Sequence, residues 1–119
     1  MKEKKPIDPR LLANPFTYSD LVQYQDGSIV SRTIIDKEEG TITVFAFDLG
    51  QRLSTHSAPF DALVEIVDGK GVINIEGKDF HLGKGEQIIM PANKAHSVRA
   101  EERFKMVLVM IRSIQPQDR

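Results

Sequence analysis

The sequence predicts an all-β domain, an antiparallel double sheet closed into a sandwich or barrel, and three observations support this prediction. Short segments rich in β-branched and aromatic residues recur along the chain, and turn-forming residues separate them. No segment shows the 3.6-residue apolar period of an amphipathic helix. With 119 residues, 40% of them apolar, the chain is long enough for one hydrophobic core but not for two.

Residues 1–24 are predicted to form an irregular arm and strap, because they contain three prolines and an apolar group that lacks helical spacing. The barrel is expected over residues 25–113, followed by a polar tail over residues 114–119. Its strands are predicted at residues 28–36, 41–49, 51–55, 62–67, 72–75, 80–82, 87–90, 96–100 and 104–111. Residues 68–71 (DGKG) are predicted to form a tight hairpin.

The composition argues against several classes of function. A net charge of −1 provides no electrostatic reason to bind nucleic acid or an anionic membrane. The longest apolar run, residues 106–111, is far too short to span a bilayer. The initial sequence MKEKKPIDPR lacks the apolar segment of a secretory signal, so a cytoplasmic location is expected. Because the chain has no cysteine, thiol chemistry is excluded.

Several predicted strands are apolar on both faces, which indicates that both faces are covered. This holds for the predicted strand at residues 62–67 and for residues 106–111. In a chain of this length without helices, a second subunit is the simplest cover for the outer face, so a homodimer is expected. The alternative is that residues 1–24 fold back over that face.

Two glycine-bounded segments each place one histidine near a strand end. In the first segment, His56 lies between Gly50 and Gly69, and in the second, His96 follows Gly85 and Pro91. Their spacing resembles the two motifs of the cupin family, which are small jelly-roll β-barrels that hold a metal or a small ligand inside. The resemblance extends from residue 28 to about residue 112 and implies the same barrel for this chain.

The chain departs from those motifs at four positions. Ala58 stands at the second histidine position of the first motif and Ala62 at its glutamate position, while Ala100 replaces the asparagine of the second motif. Asn93 replaces a glycine, which is a mild change because asparagine shares the left-handed backbone conformations of glycine.

The resemblance implies a metal site of three histidines and one carboxylate, of which His56 and His96 are present. Asp61, beside the lost glutamate position, is a candidate third ligand, and two histidines with one carboxylate form the type of set that binds Fe(II). Iron, manganese, nickel and zinc are the candidate metals. The alternative is that strand alternation directs Asp61 outward, where it caps a turn or pairs with Arg52.

Alanine at two ligand positions predicts a roomier, more apolar interior with His56 and His96 as its polar groups. The expected lining consists of residues from several strands, namely Ala58, Ala62, Phe47, Val64, Met90, Phe104 and Met106, with Phe45 and Met110 as further candidates. Gln51, Arg52, Gln87 and Asn93 are candidate rim residues, whereas His81 is expected at a surface or hairpin position.

Three functions compete on this basis. The first is binding of a small organic molecule around His56 and His96, in a sensor or carrier. The second is a metal-dependent enzyme of the dioxygenase, isomerase or decarboxylase type. The third is a β-module that acts through protein contacts alone.

Overall fold

The structure, a computed structural model, describes residues 5–112. Within this range the chain forms two short 3₁₀ helices, Pro9–Leu11 and Tyr18–Leu21, and eight β-strands. The strands are β1 (Ile29–Lys37), β2 (Gly40–Phe47), β3 (Arg52–His56), β4 (Phe60–Ile75), β5 (Lys78–Gly83), β6 (Gln87–Met90), β7 (His96–Arg99) and β8 (Phe104–Arg112). The all-β prediction is confirmed. In this part of the chain, no helix is long and apolar enough to span a membrane.

The strands form two antiparallel sheets that share β4. The first sheet has the order β1-β2-β8-β4-β6, and the second has the order β3-β7-β4-β5. The N-terminal half of β4 pairs with β6 and β8, and its C-terminal half pairs with β5 and β7. The predicted double-sheet jelly-roll is therefore confirmed, and β4 connects its two layers.

The hairpin predicted at residues 68–71 is wrong, because β4 runs through these residues as one strand of 16 residues. A register shift against β8 between Ile66 and Asp68 bends the strand at this point. Gly69 has a φ of 70°, and a side chain there would collide with the Arg103 carbonyl. At Gly71 a Cβ atom would lie 2.7 Å from the Phe104 ring. These glycines permit close approach to β8 rather than a chain reversal.

The core lies between the inner faces of the two sheets. Phe47 and Phe104 are fully buried and stack with a ring-centroid distance of 4.6 Å and an interplanar angle of 7°. Both sheets contribute to the cluster around this pair, through Ala62, Val64, Ile66, Ile73, Leu82, Met90, Val98, Ala100 and Met106. Successive side chains of a strand point to opposite faces of the sheet, so these residues, which alternate with outward-facing ones, point inward.

A strap formed by residues 17–24 lies on the outer face of the first sheet. Val22, which is 3% exposed, packs with Val44, Ala46 and Val107 in a second apolar cluster. The buried Lys105 donates a hydrogen bond of 2.7 Å from Nζ to the Ser19 carbonyl and so anchors the strap. The chain itself therefore covers part of the sheet that is apolar on both faces. This agrees with the alternative in which residues 1–24 fold back over that face. The tail at residues 114–119 lies outside the described residues.

Candidate functional site

The two motif histidines lie opposite each other on neighbouring strands of the second sheet. His56 ends β3 and His96 begins β7, and the pairing of these strands makes the two residues Cα partners. Their ring centroids are 4.5 Å apart, and the ring planes meet at 66° in an edge-on arrangement. His96 is 8% exposed, whereas His56 is exposed. The pair therefore has one buried and one solvent-accessible member.

An irregularity in β3 places His56 on the same face as its partner. His96 alternates with Val98 and Ala100, which both belong to the core cluster, so its side chain is on the inner face. Leu53, the partner of Val98, also packs against that core. Strict alternation from Leu53 would direct His56 outward, but three residues of β3 span two of β7 between these pairs. This bulge moves His56 opposite His96.

Backbone carbonyls orient both imidazole rings. The Nδ1 atom of His56 lies 3.1 Å from the Ser54 oxygen, and the Nδ1 atom of His96 lies 3.1 Å from the Lys94 oxygen. A carbonyl oxygen can only accept, so each Nδ1 carries the proton and donates it. Each neutral ring then has its lone pair on Nε2. The two rings present two hydrogen-bond acceptors, or two metal-binding nitrogens, of fixed tautomer.

The charge on His96 is disfavoured by its position. Burial is the main reason that the pKa of His96 is lowered from its ordinary value of 6.5. The neighbouring His56 lowers this pKa further, while the hydrogen bond to Lys94 opposes the change. At neutral pH the buried ring is therefore uncharged.

Of the hydrogen bonds that attach the loop leading into His96 to the rest of the site, three are accepted by the Ala58 carbonyl, the Glu76 carboxylate and the Asp61 carboxylate. Asn93 adopts a φ of 65° and donates its backbone N–H to the Ala58 carbonyl at 2.8 Å. The Glu76 carboxylate accepts from the backbone N–H of Ala95 at 3.0 Å. The left-handed conformation at residue 93 explains why asparagine can stand where the motif has glycine.

Asp61 provides the third of these hydrogen bonds and is not brought together with the histidines. Its Oδ1 atom accepts from the backbone N–H of Ala92 at 2.9 Å. The adjacent Ala62 occupies the inward position of β4 and belongs to the core cluster, so Asp61 points to the other side of the strand. Among residues 5–112, no group of three histidine, aspartate or glutamate side chains is placed to hold a metal ion.

The residues predicted to line an interior cavity lie together but are tightly packed. Ala62, Phe47, Val64, Met90, Phe104 and Met106 all belong to the core cluster, and none of them is more than 3% exposed. Ala58 lies apart from this cluster, at the contact with the histidine loop. The polar end of the predicted site is therefore the histidine pair itself, with the apolar residues filling the interior.

The candidate rim residues are dispersed. Arg52 and Arg99 are Cα partners on the outer face of the second sheet, where they line a cleft of about 280 Å³. Gln87 pairs with Glu65 at the edge of the first sheet. Asn93 is the rim candidate that adjoins the histidine loop. His81 is exposed on β5, with its Nδ1 atom 4.0 Å from Glu101.

Sequence reasoning missed two features that define this site. The bulge in β3 is not marked by a glycine, since Ser54 and Thr55 occupy it. The carbonyls that orient the rings each lie two residues before the histidine, and this local contact has no signature in residue type. The motif spacing alone indicated which two histidines would meet.

Comparisons with known proteins agree with this architecture. The profile of the Cupin domain family matches residues 43–112. A conserved protein of unknown function from Streptococcus pyogenes is 31% identical, with a TM-score of 0.83 over 97% of this chain and 98% of that protein. A cupin 2 conserved barrel domain protein from Leptotrichia buccalis is 41% identical, with a TM-score of 0.82 over 83% of this chain and 48% of that protein.

More distant structures share the fold alone. A predicted oxalate decarboxylase from Thermotoga maritima is 18% identical, with a TM-score of 0.67 over 72% of this chain and 82% of that protein. No functionally curated protein matches the chain. The Cupin domain match covers more than half of the sequence, and the two-sheet barrel with its histidine pair fits it. The chain belongs to the cupin family.

Proposed function

We propose that the chain binds a small organic molecule at the histidine pair formed by His56 and His96. The observation that carries this proposal is the arrangement of the two rings. They lie 4.5 Å apart, their Nδ1 atoms are held by carbonyls, and their Nε2 atoms remain available. A site with a few oriented polar groups next to an apolar interior is the usual form of a small-molecule site.

The fixed tautomers restrict the chemistry of the ligand. With Nδ1 donating to a carbonyl, Nε2 is the atom of each ring that can accept a hydrogen bond, so the pair favours a molecule that presents hydroxyl or amine donors. His96 remains neutral near pH 7 because burial lowers its pKa. Because His56 is exposed and His96 is buried, a ligand that approaches from solvent meets His56 first.

The metal site implied by the family pattern does not fit the residues present. Ala58 and Ala62 have no ligating atoms, and the Asp61 carboxylate is bound to the histidine loop from the outside. Two imidazoles fall short of the three protein ligands that are usual in catalytic zinc sites. A four-ligand centre of the family type is therefore not proposed.

A metal-dependent enzyme remains the second candidate because of one observation. Metal-binding histidines generally donate their second ring nitrogen to a carbonyl or carboxylate, and both histidines here do so. Iron, manganese, nickel or zinc bound by this pair would supply Lewis-acid or redox chemistry. Solvent or substrate would have to complete its coordination.

Metal content and ligand binding, measured in the same set of variants, distinguish the organic-ligand proposal from the metal-dependent enzyme. Tag-free protein prepared without chelators is analysed for metals as wild type, His56→Ala, His96→Ala and His81→Ala. The His81 variant is the matched control, because this third histidine lies exposed on β5. Thermal unfolding is then followed with a panel of small phenols, sugars and amines, since a ligand that binds the native state raises the Tm.

The organic-ligand proposal predicts metal-free protein and a Tm increase that is lost in the His56 and His96 variants but retained with His81→Ala. About one metal per chain in wild type and His81→Ala, with loss in the other two variants, would favour the metal-dependent enzyme. If no metal is bound and no compound raises the Tm, the proposal fails and a module that acts through protein contacts is left.

A further inference from the structure

The outer face of the second sheet places two arginines directly beside each other. Arg52 on β3 and Arg99 on β7 are Cα partners. Their neighbours Leu53 and Val98 pack at the core, so both arginine side chains lie on the opposite, outer face. Direct cross-strand partners have Cβ atoms about 4.5–5.5 Å apart, and like charges at that spacing destabilise a sheet. The pair therefore favours negative charge next to it.

Arg99 is held in one orientation by two carboxylates of the chain. Its Nη1 and Nη2 atoms donate to the two carboxylate oxygens of Asp79 at 3.0 and 2.9 Å. Its Nε and Nη2 atoms donate to Glu101 at 3.4 and 3.1 Å. These four hydrogen bonds use four of the five N–H groups of a guanidinium, so one N–H on Nη1 remains for a further acceptor.

Arg52 differs from Arg99 in having an uncompensated charge. Its side chain is exposed, and within residues 5–112 it makes no hydrogen bond or ion pair. Asp61, expected from the sequence as one possible partner of Arg52, instead accepts from the backbone N–H of Ala92. Asp79 lies on β5, which the sheet order places on the other side of β7 from β3. The positive charge of Arg52 is therefore available to a ligand.

Three hydroxyl groups line the same cleft of about 280 Å³ as the two arginines, namely those of Ser54, Thr55 and Ser97. Within the described part of the chain, none of these hydroxyls has a hydrogen-bond partner, and the lining of the cleft contains no carboxylate. Hydroxyl and guanidinium groups all donate hydrogen bonds. The volume is below the roughly 300–1,000 Å³ of pockets for drug-sized ligands, so the cleft suits one small group that accepts hydrogen bonds.

We propose that this cleft binds a phosphate group, either of inorganic phosphate or of a small phosphate monoester, between Arg52 and Arg99. The planar fork of a guanidinium matches two phosphate oxygens, and Arg52 offers such a fork. The free N–H of Arg99 and the hydroxyls of Ser54 and Ser97 donate to the remaining oxygens, and the anion reduces the repulsion between the two arginines. The cleft lies on the outer face, whereas the histidine pair lies on the inner face, so the two proposals can fail separately.

The test follows the backbone amide signals of the full chain by NMR during titration with inorganic phosphate up to about 50 mM, at an ionic strength held constant with sodium chloride. Saturable shifts are expected at Ser54, Thr55 and Ser97. Arg52→Gln should raise the Kd at least about tenfold, because it removes charge-assisted hydrogen bonds, and Arg52→Lys should give a value between the two. Lys37→Gln is the matched control, since it removes an exposed positive charge from β1 in the other sheet, and its Kd should equal that of wild type.

Ser54→Ala with Ser97→Ala keeps both arginines and should also weaken binding, so the proposal stays testable if Arg52→Gln does not fold. A parallel titration with glycerol phosphate distinguishes the two sources, because tighter binding than inorganic phosphate assigns the cleft to a monoester and equal binding assigns it to the free anion. Shifts that do not saturate, or that sodium chloride alone reproduces, would overturn the proposal. So would an unchanged Kd in either folded variant, or shifts confined to the surroundings of His56 and His96.

Discussion

Replacing Gly71 by alanine should destabilise the domain through a single steric conflict. The Cβ atom would lie 2.7 to 2.9 Å from three atoms of the Phe104 ring, closer than real Cβ contacts. The ring is fully buried and stacks on Phe47 at 4.6 Å, so it cannot move away without disturbing the core. Forcing one extra carbon into a packed core costs about 1–3 kcal/mol.

The change should be visible in thermal and urea unfolding. For a domain of this size each kcal/mol lowers the Tm by roughly 3–5 °C, so a decrease of roughly 3–15 °C is expected. The midpoint in urea should fall while the slope stays the same, because the surface exposed on unfolding is unchanged.

Two further variants isolate the steric cause. Gly83→Ala adds the same atom in β5 of the same hairpin, where the nearest heavy atom is at 3.6 Å, and it should be neutral or slightly stabilising. Combining Gly71→Ala with Phe104→Leu should cost less than the sum of the two single changes, because the smaller side chain makes room. Additive costs, or a Gly71→Ala protein within about 0.5 kcal/mol of wild type, would refute the packing argument.

Three other predictions follow from the site and the strap. The pKa of His96 is lowered in the folded protein, so the unfolded chain binds the proton more readily and the free energy of unfolding of wild type falls as the pH drops below about 6.5. His96→Gln should therefore reduce this dependence of the free energy of unfolding on pH. If urea titrations give wild type and His96→Gln the same dependence of the free energy of unfolding on pH, this expectation is wrong. Ala58→His with Ala62→Glu should raise the divalent metal content measured by elemental analysis to about one metal per chain, because it restores the missing ligand types. No gain in metal would show that backbone geometry also differs there. Val22→Ala should cost about 1–3 kcal/mol in urea unfolding, because Val22 is buried against Val107; a cost near zero would mean that the strap contributes little to stability.

Most strands could be predicted from the sequence because their signals are local. The segment at residues 87–90 is predicted with the ends that the structure gives to β6, because Pro91 stops it. Phe47 and Phe104, which the sequence analysis places in the lining of the interior, belong to the core cluster. These features depend on neighbours in the chain, which is why one sequence suffices to find them.

The erroneous hairpin shows where local signals mislead. An aspartate followed by glycine is a strong turn signal, and Asp68-Gly69 has that form. In the structure Gly69 does have a positive φ, but it serves a bend in β4 beside Arg103, which is distant in sequence. A glycine with a positive φ occurs both in hairpin turns and in bent strands, and only the position of β8 shows which of these Gly69 forms.

Motif spacing predicts that His56 and His96 meet, but it does not predict the geometry in which they do so. Motif spacing identified His56 and His96, and alternation along β4 favoured an outward Asp61, which the structure places against Ala92. The opposition of the two rings depends on a bulge formed by ordinary hydroxyl residues, so strict alternation from Leu53 would have separated them. Side chains along a regular strand alternate with a period of two residues. This period cannot predict a site that depends on one extra residue in a strand.

The shared strand β4 connects the first sheet to the histidine pair in the second sheet. The N-terminal half of β4 carries Leu63 on the outer face of the first sheet, and its C-terminal half pairs Ile75 with His96 in the second. The bend at Gly69 and Gly71 turns the strand between these surfaces. Because packed cores move between discrete arrangements rather than deform freely, a strand held on Phe104 at its bend keeps the two surfaces in fixed relation. We therefore expect the histidine pair to keep its position relative to the first sheet unless the packing at this bend is altered.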